Sequence, residues 1–302
     1  MKRKEAIKTQ DNETLKDLAR SYLSEIEPAK KFGILLKAET LLREYTYTSK
    51  AKLLRDLEVS YFSAINSSQK IEKGKKENFD TLVLYLAASK NAGVEICKFA
   101  STGCRLACLV ASGHALIEEK AGKVTIAVSR IVKTWLTVYR KDIAEEVLKQ
   151  EIASARKRAN RQKKRFSVRL NGTSDLEFYE VINAFPGVQF YDYTKDPERF
   201  ELPNYHLTFS YADTSKGRMK HYRQALKRGQ SIAFPVIASD FAEACALPDC
   251  YSMDETDLRF MDKGGKYGIL KAKVTSELQA GVKHKFILSA DELREVIETL
   301  ES

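Results

Sequence analysis

Phe166-Ser-Val-Arg-Leu170 runs directly into Asn171-Gly-Thr-Ser-Asp175. A helical pattern near 176–184 follows, and then a second apolar run, Val188-Gln-Phe-Tyr-Asp-Tyr193, ends in Thr194-Lys195. Strand, polar loop, helix, strand is the order of parallel strands joined by helical crossovers. The pattern repeats outward. Upstream lie the apolar run Leu82–Ala87 and one long amphipathic pattern carrying Val124, Val128, Ile131, Trp135, Val138 and Val147. Downstream lie His206–Tyr211, a helix near Met219–Arg228, Ser231–Ile237, Asp257–Phe260, Tyr267–Ala272 and a closing helix, Asp291–Leu300. Right-handed crossovers of this kind close into a barrel or an open doubly wound sheet. The predicted class is α/β: a full or partial parallel (β/α) barrel with an appended N-terminal helical segment.

Residues 1–45 supply that segment. Leu15, Leu18, Ala19, Tyr22 and Leu23 recur at helical spacing, as do Leu35, Leu36, Leu41 and Leu42. The polar stretch Ser67–Glu77 is a soft boundary, and Val59–Asn66 before it could already belong to the core. The expected division is a helical extension over 1–45 and a barrel-like domain over 55–302.

Three of the five cysteines, Cys97, Cys104 and Cys108, fall within one loop after the first apolar run. Three thiolates on one loop can hold a metal while leaving one coordination position open. The spacing is compatible with a [4Fe–4S] cluster, with a three-cysteine zinc site, or with three buried reduced thiols. His114 is a possible fourth ligand but reads more simply as loop. Cys245 and Cys250 are a possible second metal pair, but partners at proper spacing are missing and Leu-Pro-Asp between them reads as a turn, so they read as structural or incidental cysteines.

The strand-end loops carry polar residues that packing does not require. They are Asn171–Asp175, Tyr191–Lys195 and Ser210–Asp213. Ligands of parallel α/β folds bind at the carboxyl ends of strands, so these loops and the cysteines are expected on one rim. Ser174 or Asp175 could instead cap the following helix, and Asp192 and Lys195 could be a surface ion pair.

Composition sets outer limits. The chain has 302 residues, 43% hydrophobic and 30% charged, with a formal net charge of +10. No apolar window of about 18 residues marks a membrane span, and Met1-Lys-Arg-Lys-Glu5 has no apolar run behind it to make a secretory signal. The expected location is therefore the cytoplasm, where thiols stay reduced. The basic run Arg156–Arg165 permits contact with nucleic acid, although cations also suit a helix C-terminus. No phosphate loop, dinucleotide fingerprint, paired-histidine zinc motif or hydrolase elbow is present.

Seven pieces in order carry a resemblance. They are Tyr85–Ala88, the three cysteines, Ser129–Thr134, Val168–Asp175, Phe190–Lys195, Asn204–Ser210 and Asp257–Asp262. Together they resemble a family of phage and prophage proteins of unassigned function, the gene product eighty-eight type. The family's cysteine pattern looks like a relative of the radical S-adenosylmethionine signature, C-x-x-x-C-x-x-C. Here six and three residues intervene.

The resemblance implies an iron–sulfur protein, a radical S-adenosylmethionine-like enzyme, in a phage host's cytoplasm. On that reading Cys97, Cys104 and Cys108 hold the cluster. Asn171, Asp175, Asp192 and Lys195 are candidates for the chemistry. Asn171, Ser174, Tyr191, Tyr193, Ser210 and Arg130 are candidates for holding S-adenosylmethionine or substrate. The alternative is a nucleic-acid-binding phage protein with a structural metal or none. Arg156–Arg165 would then contact phosphates, and Tyr191, Tyr193 and Tyr211 would stack on bases.

Overall fold

A computed structural model describes residues 14–44, 61–63, 77–108, 125–262, 265–272 and 278–302. Seven short strands form one sheet, every pair of which is parallel. They are β1 (Phe79–Val83), β2 (Arg165–Arg169), β3 (Gln189–Thr194), β4 (Tyr205–Ser210), β5 (Ile232–Val236), β6 (Cys250–Ser252) and β7 (Tyr267–Lys271). Their order is β1-β2-β3-β4-β5-β7-β6, so β7 is inserted between β5 and β6. The sheet curls into a half-barrel. Of the two forms expected from sequence, the partial one is therefore present.

Ten helices are described. They are α1 (14–24), α2 (Pro28–Arg43), α3 (Thr102–Leu106), α4 (Thr125–Tyr139), α5 (Lys141–Arg161), α6 (Tyr179–Asn183), α7 (Lys216–Lys227), α8 (Phe241–Cys245), α9 (Leu278–Lys283) and α10 (Ala290–Glu301). Each long one buries a stripe at 3–4 spacing. In α10 the stripe is Leu293, Val296, Ile297 and Leu300. Ser289 caps that helix, accepting from the N–H of Glu292 while Glu292 accepts from Ser289 in return.

The N-terminal helices join the main core. Leu15, Ala19, Ala38 and Leu42 share one buried cluster with Trp135 and with Leu82 and Val168 of the sheet. Tyr22 meets the Trp135 ring edge-on, at 6.0 Å between centroids. The Trp135 indole N–H donates to the carbonyl of Ala92 at 2.8 Å, so a fully buried indole leaves no donor unpaired.

Two expectations fail locally. The long amphipathic pattern is two helices, α4 and α5, separated at Arg140, whose φ of −139° is not helical. Its guanidinium bonds Asp142 and the carbonyl of Leu42, stabilising the joint against α2. Asp257–Phe260 is not a strand. It enters a single 3-10 turn, Arg259–Met261, laid over the inner face of the sheet. The turn expected at Leu247-Pro-Asp249 is present, and Cys250 directly after it begins β6. Val59–Asn66 is described only at 61–63, where Phe62 bridges Leu84. Residues 1–13 of the expected extension, His114, and the soft boundary from Ser67 to Lys76 lie outside the described residues.

The two sheet faces differ. Val168, Phe190 and Leu207 point into the helix-side core. The inner face carries Thr81 against Ser167, with hydroxyls 2.8 Å apart, and then Arg169, Tyr191 and Tyr193. Successive strand residues point to opposite faces, so this polar layer follows from the sequence phase.

Candidate functional site

A cavity of about 270 Å³ opens at the carboxyl ends of the strands. Cys97, Cys104 and Cys108 all line it, together with Asn171, Ser174, Asp175, Tyr193, Lys195 and Ser210. Nine of the expected residues therefore meet at one rim. Arg169, Asp254, Lys271 and Phe286 complete the wall but were not foreseen from sequence.

The cysteine loop is held from several sides. Ser101 caps α3, accepting from the N–H of Cys104 at 3.2 Å and donating to the carbonyl of Ala212 beyond β4 at 2.9 Å. Arg105 pairs with Glu95, closing the loop on itself. Gly103 sits so close to the 284–286 segment that a Cβ there would lie 2.6 Å from Phe286. Cys97 Sγ is 3.9 Å from the carbonyl of Thr173. Burial pushes its thiol up to about 12, so without a metal it stays protonated. No disulfide links the five cysteines. Among the described residues, no three His, Cys, Asp or Glu side chains are gathered closely enough to hold a single metal ion.

The loop after β2 is built by Asn171. Its Oδ1 accepts from Ser174 Oγ and from the N–H of Leu176, both at 2.8 Å. Its Nδ2 donates to Leu176 O at 3.0 Å and to Asp192 Oδ2 at 3.1 Å. Both ends of the amide are thus engaged, and the residue shapes the rim. Gly172 passes the end of β1 so tightly that a Cβ would fall 2.7 Å from the carbonyl oxygen of Leu84.

Asp175 does not cap α6, whose N-cap position is Phe178 with no side-chain cap. It accepts from Thr194 Oγ1 and the N–H of Lys195, each at 2.9 Å, and pairs with Arg199 at 3.3 Å. Burial raises its pKa and Arg199 opposes that rise. Lys195 donates to Ser210 Oγ at 2.7 Å, joining the ends of β3 and β4.

Three expected residues lie off the cavity. Asp192 is on the helix side of β3. It is not a surface partner of Lys195 but 1% exposed, accepting from the N–H of Asn171 at 2.7 Å and from Tyr205 Oη at 3.1 Å. Burial raises its pKa to about 6. Tyr191 is buried on the inner face beneath the cavity, its hydroxyl 3.5 Å from Asp257. Arg130 lies on α4 with its guanidinium 5.4 Å from the Tyr85 ring. Cys245 and Cys250 pack against the second apolar cluster, among residues of β5, β7 and α10.

The basic run sits elsewhere. α5 ends at Arg161 and β2 begins at Arg165, so these cations cluster at the opposite end of β2 from Arg169 and the cavity. Lys157, Arg158, Arg161 and Lys163 are exposed there. Tyr191 and Tyr211 are 1% and 0% exposed, so neither offers a ring face to a base. No described helix is long and apolar enough to cross a membrane.

No match was found among curated proteins or among solved structures. A family model described as Gene product 88 matches residues 52–288, more than three quarters of the chain and all seven strands of the sheet. The protein with the cysteine-lined rim therefore belongs to the Gene product 88 family, the phage gene-product family its ordered motifs resemble.

Proposed function

We propose that the rim cavity is a small-molecule site built around an iron–sulfur cluster held by Cys97, Cys104 and Cys108. One observation carries the reading: three cysteines from two turns of one loop line the same cavity as the loops after β2 and β3. The chemistry of the donors suits such a group: three cysteines of one short segment can each bind a different iron and leave one iron open. Such a cluster supplies an open iron and an electron source, and S-adenosylmethionine is the ligand assigned to it by this reading.

The remaining groups hold the rim in shape. Asn171 and Ser174 fix the β2 loop. Asp175 fixes that loop to Lys195, so the lysine is presented at the cavity with its backbone tied. Tyr193 and Phe286 supply ring surface to the cavity wall.

Anaerobic purification tests this directly. The expected protein is brown, absorbs near 400 nm and carries about four irons and four acid-labile sulfides per chain. Cys97→Ala should remove the absorbance. If iron and sulfide reconstitution adds no metal, and triple Cys→Ser replacement leaves stability unchanged, the cluster reading is wrong.

A further inference from the structure

Arg169 ends β2 and lines the cavity, yet its side chain is only 6% exposed. A buried guanidinium needs its charge balanced and its five N–H donors used. Asp257 balances the charge, at 3.1 Å from Nη1. It does so through that one nitrogen, because the other contact, at 3.5 Å, also comes from Nη1. Nε is buried with no hydrogen-bond partner in the described structure. The guanidinium carbon lies 4.8 Å from the centroid of the Tyr193 ring, which fixes where the fork sits.

Two more cations share the wall. Lys195 Nζ is 2.7 Å from Ser210 Oγ and 5.6 Å from the centroid of the Phe286 ring, and Lys271 lies at the end of β7. The wall's carboxylates are Asp175 and Asp254. Asp175 is matched by Arg199, as Arg169 is by Asp257. Three cations, Arg169, Lys195 and Lys271, line the cavity with two carboxylates, a small excess of positive charge, although the Lys271 ammonium itself lies 5.8 Å from the centroid of the Phe241 ring.

We propose that Arg169, Lys195 and the Ser210 hydroxyl form an oxyanion subsite that takes a carboxylate or phosphate group of the small molecule bound in this cavity. The inference rests on the cavity being a small-molecule site and does not need the metal. A planar guanidinium with an unpartnered Nε, lining the same cavity as an ammonium, is suited to capture of such a group. Ser210 Oγ, held by the lysine at the end of β4, supplies a neutral donor. An anion seated there shares the cavity with the cysteine sulfurs.

The test uses the full chain after chelation of any metal. Iodoacetate and iodoacetamide alkylate a thiolate by the same displacement: the sulfur–carbon bond forms as the carbon–iodine bond breaks, and iodide leaves. They differ in charge and in intrinsic reactivity, so each rate is divided by the rate of the same reagent with free cysteine. Peptide mass mapping of Cys104 and Cys108 should show alkylation by iodoacetate that saturates with reagent, at least about tenfold faster, after that normalisation, than by iodoacetamide, as cationic steering allows. Lys195→Met, at a partly exposed position, should cut that ratio about tenfold with little change in thermal midpoint. Millimolar phosphate and acetate, added separately, should protect, and the stronger protector identifies the group the subsite prefers. Iodoacetate without saturation or advantage, or a ratio unchanged by Lys195→Met, overturns the subsite. Because the metal has been removed, this outcome is independent of whether the cluster forms.

Discussion

Asp175 and Arg199 meet 3.3 Å apart in a buried ion pair that ties the loop after β2 to the loop after β3. The Arg199 side chain is 1% exposed and its guanidinium also donates to the carbonyl of Leu176 at 2.7 Å. Removing one partner of such a pair leaves an uncompensated buried charge. Asp175→Ala should therefore destabilise the protein by about 3–5 kcal/mol in urea unfolding. Asp175→Asn keeps one acceptor oxygen, enough for Thr194 or for the Lys195 N–H but not for both, and should lose less than the alanine variant. The double variant Asp175→Ala with Arg199→Met should recover part of the loss. No recovery would show that the lost hydrogen bonds, not the charge, dominate.

Asp192 should make stability depend on pH in an unusual direction. Its pKa of about 6 in the folded protein exceeds the ordinary 3.8, because burial disfavours the carboxylate. The folded state thus holds the proton more tightly than the unfolded chain. Its contribution is present in acid and falls as pH rises from about 4 through about 6, by on the order of 2 kcal/mol. The stability difference between wild type and Asp192→Asn, measured by urea unfolding across that window, isolates the effect. A difference that stays flat there contradicts the assignment.

Gly172→Ala should cost about 1–3 kcal/mol, since its Cβ would overlap the carbonyl of Leu84 and the ring of Tyr85. Gly217, in the first turn of α7, has nothing within 4 Å of the place a methyl group would take, so Gly217→Ala should be neutral or stabilising by up to about 1 kcal/mol. Thermal midpoints of the two variants should move apart. Equal shifts would mean that the rim loop yields.

In metal-free protein the buried Cys97 thiol, pushed up to about 12, should resist iodoacetamide at neutral pH. Labelling should climb steadily as the solution becomes strongly alkaline. Rapid labelling at neutral pH would show that the loop opens away from Thr173.

Most of the sheet was legible because parallel strands buried on both faces read as short apolar runs. β2 through β5 and β7 fall within about a residue or two of their runs. Asp257–Phe260 misled because its alternation is that of a half-buried strand. In the fold, Asp257 and Arg259 are instead buried against Arg169 and Asp262, respectively. The break at Arg140 carries neither glycine nor proline, so no local signal marks it. At the site, the strand-end rule located the rim. It could not place Tyr191 and Asp192 together, since neighbours on a strand face opposite sides. That phase was readable from the sequence. Arg169 escapes notice for the opposite reason: one charge inside an apolar run looks like a solvent-facing position until its partner, Asp257, arrives from 88 residues away.

The insertion of β7 between β5 and β6 imposes an order on synthesis. β6 pairs with β7 alone, and β5 meets β7 on the side away from β4. As the chain leaves the ribosome, β1 through β5 can pair in turn. Cys250–Ser252 then waits with no neighbour until Tyr267–Lys271 has emerged. A nascent chain halted between those segments exposes two open sheet edges, a template for pairing with other chains. The same late strand brings Leu270 and Lys271 to the cavity wall, and Phe286 and Ile287 follow it, so the pocket gains its last side only after the sheet is complete.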